Sequence, residues 1–169
     1  LRVYAPRGKA TQTGFAQGTA AQYTWMVPQN VSGLAAAMGG RGAAATRLDA
    51  FFHDGAGNWV LRGGDPLRYD PTNEPTIHTP WLYNGLGQPW KTQATVRLVL
   101  DTAYGTGVAG LPGNDDLGTM SAWYVFGAMG LFPQTPGRAE LLVGSPVFRR
   151  IELVRSSGQR ITVTTNSTR

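Results

Sequence analysis

Carboxylates are scarce in this chain, with seven Asp and three Glu among 169 residues, so each can be weighed individually. Asp115 and Asp116 stand side by side in the run GLPGNDDLG. Two adjacent acids repel each other unless a cation or a proton is close, so the pair suits water activation or metal binding. The same residue type also caps helices and favours the positive end of the helix dipole, and spacing alone leaves both roles open. A second grouping, Asn73, Glu74 and His78 in DPTNEPTIHTPWLYN, brings oxygen and nitrogen donors into one proline-punctuated turn. Oxygen donors suit a hard cation such as calcium. The competing reading is that Asn-Glu-Pro starts a helix and His78 is a half-buried, satisfied histidine. Trp81, Tyr83 and Trp90 flank this turn and could stack on a sugar face or fill a core.

These residues must be held by surrounding elements. In QYTWMVPQNVSGLAAAMGG, residues 22–40, Ala-rich sequence follows Pro28 and Asn30, a capping residue type, and Gly39-Gly40 stops it, which predicts a short helix. A second helix is predicted from near Ala43, with Leu48, Phe51 and Phe52 on one face. A third runs through KTQATVRLVLDTAYG, where Val96, Val99, Leu100 and Ala103 follow helical spacing until Gly105 and Gly107. A fourth, in TMSAWYVFGAMGLFP, carries Met120, Trp123, Tyr124, Gly127, Ala128 and Leu131, with Pro133 as its stop. After Pro136-Gly137 the period changes: AELLVGSPVF, RRIELV and RITVTT read as strands, with SSGQ as a hairpin turn between the last two.

Composition narrows the function classes. The chain is 41% hydrophobic and 15% charged, with 23 Gly and 11 Pro, which excludes a disordered tail, a collagen and a coiled coil. No apolar run reaches the roughly 18 residues that a membrane-spanning helix needs, so no membrane partner is expected. Cysteine is absent, which removes disulfides and thiolate metal sites. Lys and Arg outnumber Asp and Glu by 15 to 10, but the arginines are scattered without an aromatic-interleaved stripe, so no nucleic-acid partner is expected either. The chain opens at Leu1 without Met and closes at Arg169 behind strand-like sequence, as a piece of a longer protein would.

Taken together, GNDDLGTMSAWYVFGAMGLFPQTPG, TNEPTIHTPWLYNGLGQPWKTQ before it and LLVGSPVF after it resemble the C-terminal half of glycoside hydrolase family 92, calcium-dependent inverting exo-α-mannosidases. Several long motifs in order carry far more weight than one short one. The resemblance implies an α+β, mainly α fold: residues 1–136 as the last part of an (α/α)6 catalytic barrel and residues 137–169 as strands of a β-sandwich. It implies Asp116 as the general base, supported by Asn114 and Asp115, and a calcium ion held in part by Asn73 and Glu74. Glu74 and His78 are implied at the sugar. It also implies a carbohydrate substrate and a secreted or extracytoplasmic location.

The departure from the family pattern lies at GFAQGTAAQYTWMVPQN, residues 14–30. The corresponding family segment reads close to GFxEGNxWQYTWxVPHD, in which the Glu is the general acid. Here that position is Gln17, the Asn and Trp of the same turn are Thr19 and Ala21, and the His-Asp pair is Gln29-Asn30. An amide donates a hydrogen bond but transfers no proton, so half of an inverting glycosidase's carboxylate pair is missing. Three readings follow. The first is a hydrolase of mannosyl phosphodiesters, whose phosphate departs as a stable anion, with Gln17, Thr19, Gln29 and Asn30 reshaping the leaving-group subsite. The second is a conventional α-mannosidase of N-glycan-type mannosides that draws its acid from elsewhere. The third is a mannose-binding protein without turnover, weakened by the intact GNDD loop.

Overall fold

The computed structural model describes Val3–Tyr4 and residues 11–166; the expected termini at Leu1 and Arg169 lie outside the described residues. A two-residue antiparallel pair, β1 (Val3–Tyr4) with β2 (Thr11–Gln12), precedes the first helix, α1 (Ala20–Tyr23). The Ala-rich segment forms α2 (Val31–Ala37), preceded by a 3-10 turn at Pro28–Asn30 and capped where the Asn30 carboxamide oxygen accepts from Gly33 N at 2.9 Å. Next comes α3 (Arg41–Phe52), whose inward stripe of Ala44, Ala45, Leu48, Phe51 and Phe52 extends the expected face by one turn. The Asn-Glu-Pro turn starts a short α4 (Glu74–Ile77), followed by a 3-10 turn at Thr79–Trp81 and α5 (Leu82–Gly85). Two longer helices follow, α6 (Pro89–Ala103) and α7 (Thr119–Met129).

The last of these ends earlier than Pro133. Gly130 adopts φ 68°, a left-handed stop, and a Cβ there would lie 2.6 Å from Pro146 N. Leu131 therefore belongs to β3 (Leu131–Phe132), which pairs antiparallel with β4 (Leu142–Val143). Of the expected strand AELLVGSPVF only β4 forms. The final two expected strands do form, as β5 (Arg150–Val154) and β6 (Arg160–Thr164), with Ile151 opposite Val163 and Leu153 opposite Ile161.

The molecule is thus mainly helical with small antiparallel sheets. Its core lies where α2, α3, α5, α6 and the 3-10 turn before α5 meet, and Leu48, Phe52, Trp81 and Val99 are completely buried. Phe52 packs against Tyr69 at 5.0 Å and Tyr83 at 6.0 Å between ring centroids, and Trp81 stacks on Phe132 at 5.0 Å, which pins β3 to the helices. Of the aromatics that could have met a sugar, Trp81 and Tyr83 are therefore core, and only Trp90 is exposed. A buried aromatic of this kind contributes about 1.5–3 kcal/mol relative to exposure.

Candidate active site

Three loops separated widely in sequence carry the candidate residues, and they touch. The first leads into α1. Gln17 sits at φ 54°, and its main-chain carbonyl accepts a hydrogen bond from the Asn73 carboxamide Nδ2. Thr19 begins the helix in a reciprocal capping box: its Oγ1 accepts from Gln22 N at 3.3 Å, and Gln22 Oε1 accepts from Thr19 N at 3.2 Å. The Thr19 hydroxyl donates to the Pro66 carbonyl at 2.6 Å. Thr19 is buried, so it holds the shape of the loop into α1, whereas Gln17, Gln29 and Asn30 are exposed.

The second loop leads into α4. Asp70, 3% exposed, accepts from Thr72 N at 2.9 Å and from the Thr72 hydroxyl at 2.6 Å, closing a tight turn that presents Asn73. Asn73 is completely buried: Nδ2 reaches the Gln17 carbonyl, while Oδ1 has no hydrogen-bond partner. Glu74, the next residue, is half-buried. His78 is 7% exposed and its Nε2 lies 2.7 Å from the Trp25 carbonyl, so Nε2 carries the proton and donates. Burial holds the His78 pKa below its ordinary 6.5, against the smaller upward pull of that hydrogen bond. It is a neutral strut between α1 and the α4 turn.

The third loop leads into α7. Gly113 packs so closely on Thr72 that a Cβ would fall 2.9 Å from the Thr72 Cβ, which makes glycine necessary there. Asp116 at 48°, Leu117 at 58° and Gly118 at 91° have successive positive φ values. Asp115 Oδ1 accepts from Ser121 N at 2.9 Å, and the Asp115 and Asp116 carbonyls accept from Met120 N and Thr119 N, so Asp115 satisfies the first turn of α7 from ahead of its N-cap, Gly118. Asn114 is exposed beside them. Tyr104, stacked on Trp123 with centroids 5.7 Å apart, underlies the loop and donates its hydroxyl to the Met120 carbonyl at 3.2 Å. Burial, and secondarily the charge of Asp115, push its phenol far above the usual value and keep it protonated.

The chain matches the model of the glycosyl hydrolase family 92 catalytic domain over residues 2–169. It belongs to that family. Among curated proteins it is 31% identical over 129 residues to an uncharacterized secreted glycosidase of Arthroderma benhamiae, covering 76% of this chain and 15% of that protein. Among solved structures it resembles a family 92 α-mannosidase of Bacteroides thetaiotaomicron in complex with mannoimidazole. That match has 36% identity and TM-score 0.76, covering 88% of this chain and 20% of that one. It also resembles a family 92 inverting mannosidase of the same bacterium, at 35% identity and TM-score 0.78, covering 97% and 24%. The chain therefore spans less than a quarter of the length of these relatives.

For a family 92 chain, the implied calcium can be tested against the donors present. The buried Asn73 Oδ1 without a partner is the kind of orphaned oxygen that a hard cation satisfies, and the Glu74 carboxylate adjoins it in sequence. These two fit calcium. Among the described residues no cluster of three or more His, Asp or Glu gathers, so a six- to eight-coordinate ion would take its other ligands from main-chain oxygens, water or other parts of the protein. The residues that a reading of the sequence misses in this family 92 site are the scaffold: Asp70, Thr72, Gly113 and Tyr104. Asp-Pro-Thr ahead of Asn73 is a turn signature that could have marked the first two.

Proposed function

We propose that this chain carries part of the catalytic centre of an inverting α-mannoside hydrolase that acts on mannosyl phosphodiesters, releasing mannose and exposing a phosphomonoester. The observation that carries the reading is Gln17. An amide stands where the family pattern places its acid, on a turn anchored to buried Asn73, in a loop set that otherwise keeps the GNDD sequence. In the reaction, Asp116 takes a proton from water as the water oxygen bonds to the anomeric carbon. The bond from that carbon to the bridging oxygen breaks, and its electron pair leaves with the phosphate. Phosphate accepts this charge without protonation near neutral pH, so Gln17 needs only to donate a hydrogen bond to the departing group. Asp115 fixes the start of α7 and thereby the aim of Asp116, and Tyr104 supports that loop from below. Asn73 and Glu74 would hold calcium, which when bound supplies a grip on the sugar's vicinal hydroxyls and help in distorting the ring. The name of the fungal relative supports a secreted location.

A conventional α-mannosidase, with its acid drawn from outside these residues, is the second reading, and the mannosidase names of the solved relatives favour it. The deciding experiment compares a mannosyl phosphodiester with an unactivated mannobiose, using the full-length protein. The phosphodiester should be cleaved and the mannobiose scarcely touched. Gln17→Glu should raise mannobiose cleavage, by up to the roughly 10²–10⁴ that general acid catalysis supplies, without helping the phosphodiester. Asp116→Asn should lower turnover of either substrate by about 10²–10⁴. A parent enzyme that cleaves mannobiose as well as the phosphodiester would establish the second reading instead.

A further inference from the structure

Beside the leaving-group turn lies a cleft of about 180 Å³ between α1, α3 and the chain at Leu67-Arg68. That is the space of roughly six waters at about 30 Å³ each. Its walls are Ala21, Thr24, Arg47, Ala50 and Arg68, over a floor of Trp25 and Phe51. Ala21 and Ala50 both line it with nothing larger than a methyl group. Position 21 is where the family pattern carries an indole, and an indole there would compete for the same volume.

The cleft is also electropositive. Arg68 is held on two sides, with Nη1 donating to the Ala50 carbonyl and Nε 3.7 Å from the Asp65 carboxylate, which balances its charge. Arg47 has no carboxylate partner among the described residues, so the described lining, with two arginines and no acid, carries an excess of positive charge. Its walls are tied to the turn that carries Gln17. Gln22 Nε2 donates to the Arg68 carbonyl at 3.3 Å, and the Thr19 hydroxyl donates to the Pro66 carbonyl. Arg47 on α3 and the anchored Arg68 both line this cleft, and a planar guanidinium fork matches the paired oxygens of an oxyanion.

We propose that the Arg47–Arg68 cleft is an oxyanion subsite that receives the phosphate of the leaving group. The proposal rests on the phosphodiester reading and explains how that group is held. A departing phosphate that gains charge without a proton needs a counter-charge, and the turn TGFAQGT that carries Gln17 has no charged side chain. Arg47 makes the contact that discriminates, and Arg68 shapes the wall.

The test uses the full-length protein with three readouts: kcat/KM on a mannosyl phosphodiester, kcat/KM on 4-nitrophenyl mannoside, and inhibition of the aryl reaction by inorganic phosphate. Arg47→Ala should lower kcat/KM on the phosphodiester and weaken phosphate inhibition by about ten- to a hundredfold, the range for a hydrogen bond to a charged group. Aryl mannoside hydrolysis should fall much less. Ala21→Trp, which fills the cleft without removing a charge, should give the same pattern. Arg47→Lys should recover only part of the loss, because it restores charge without the fork. An equal loss on both substrates with a lower melting temperature would make Arg47 a packing residue and overturn the subsite. So would an unchanged Arg47→Ala on a phosphodiester that the parent does cleave. If the parent leaves the phosphodiester intact while phosphate still inhibits through Arg47, the subsite stands and the assigned substrate falls.

Discussion

His78 shows what burial does to one titratable residue in this site. The neutral ring donates to the Trp25 carbonyl, and burial holds the pKa below 6.5. In the unfolded chain the ring returns to about 6.5, so below that pH the unfolded state binds the proton more readily. The stability contributed by the neutral ring is therefore present above pH 6.5 and is lost as pH falls below it, toward the folded value. Thermal melts between pH 7 and pH 5 should show a falling midpoint, and His78→Gln, which keeps a donor in reach of the Trp25 carbonyl, should flatten that slope. A parent midpoint that does not move over this interval would mean that the ring is not held neutral. Gln17, Asp116 and Leu117 are the other exceptional residues. Each L-residue in left-handed backbone costs roughly 1–2 kcal/mol, and such strain gathers where a side chain has to be aimed.

At the scale of elements, α7 depends on Asp115 for its start. Asp115→Ala removes the acceptor from Ser121 N and should cost about 1 kcal/mol of unfolding free energy, whereas Asp115→Asn keeps an oxygen there and should restore most of it. Denaturant melts of the two variants separate the cap from chemistry, since equal destabilisation by both would show that the charge, not the acceptor, matters. The same elements show what could be read in advance. The helices α3, α6 and α7 last long enough for Leu48 and Phe52, or Val96, Val99 and Leu100, to repeat on a face, so their period is legible. By contrast, α1, α4 and α5 have four residues each, too few to display one. Their existence follows from tertiary contacts such as that of Gln22 with Arg68. The candidate residues were legible as types, and the family pattern marked Gln17. Their meeting was not, because Asn73 contacts Gln17 across 56 positions through a main-chain carbonyl that carries no sequence signal. Nor could the sequence show that Asp115 holds the first turn of α7, since its bond to Ser121 N depends on three consecutive positive φ angles between the two residues.

At the scale of the molecule, β5 and β6 stand apart. They pair mainly with each other, with Ile151, Leu153, Ile161 and Val163 on one face and Arg150, Glu152 and Arg160 on the other. Hydrogen bonding from Arg150, reinforced by its charge and by Arg160, lowers the Glu152 pKa, but exposed pairs of this kind contribute little to stability. A two-stranded hairpin is marginal in water without a layer packed on its apolar face. In this 169-residue chain, amide hydrogens of β5 and β6 should exchange far faster than those of α3 and α6, measured by mass spectrometry of peptic fragments. Equal protection would mean that the hairpin is stable on its own.

The bond between Asn73 and Gln17 has a consequence for descent. One anchor of the turn runs through the main chain of residue 17, and an amide or an acid at the end of that side chain leaves this bond in place. Glutamine and glutamate codons differ at one base in the first position. Under the proposed function, exchange between a centre that protonates its leaving group and one that does not is thus open to a single mutation that keeps this anchor. Lineages could cross this boundary repeatedly, in either direction, and residue 17 together with the volume at residue 21 would record which side each one occupies.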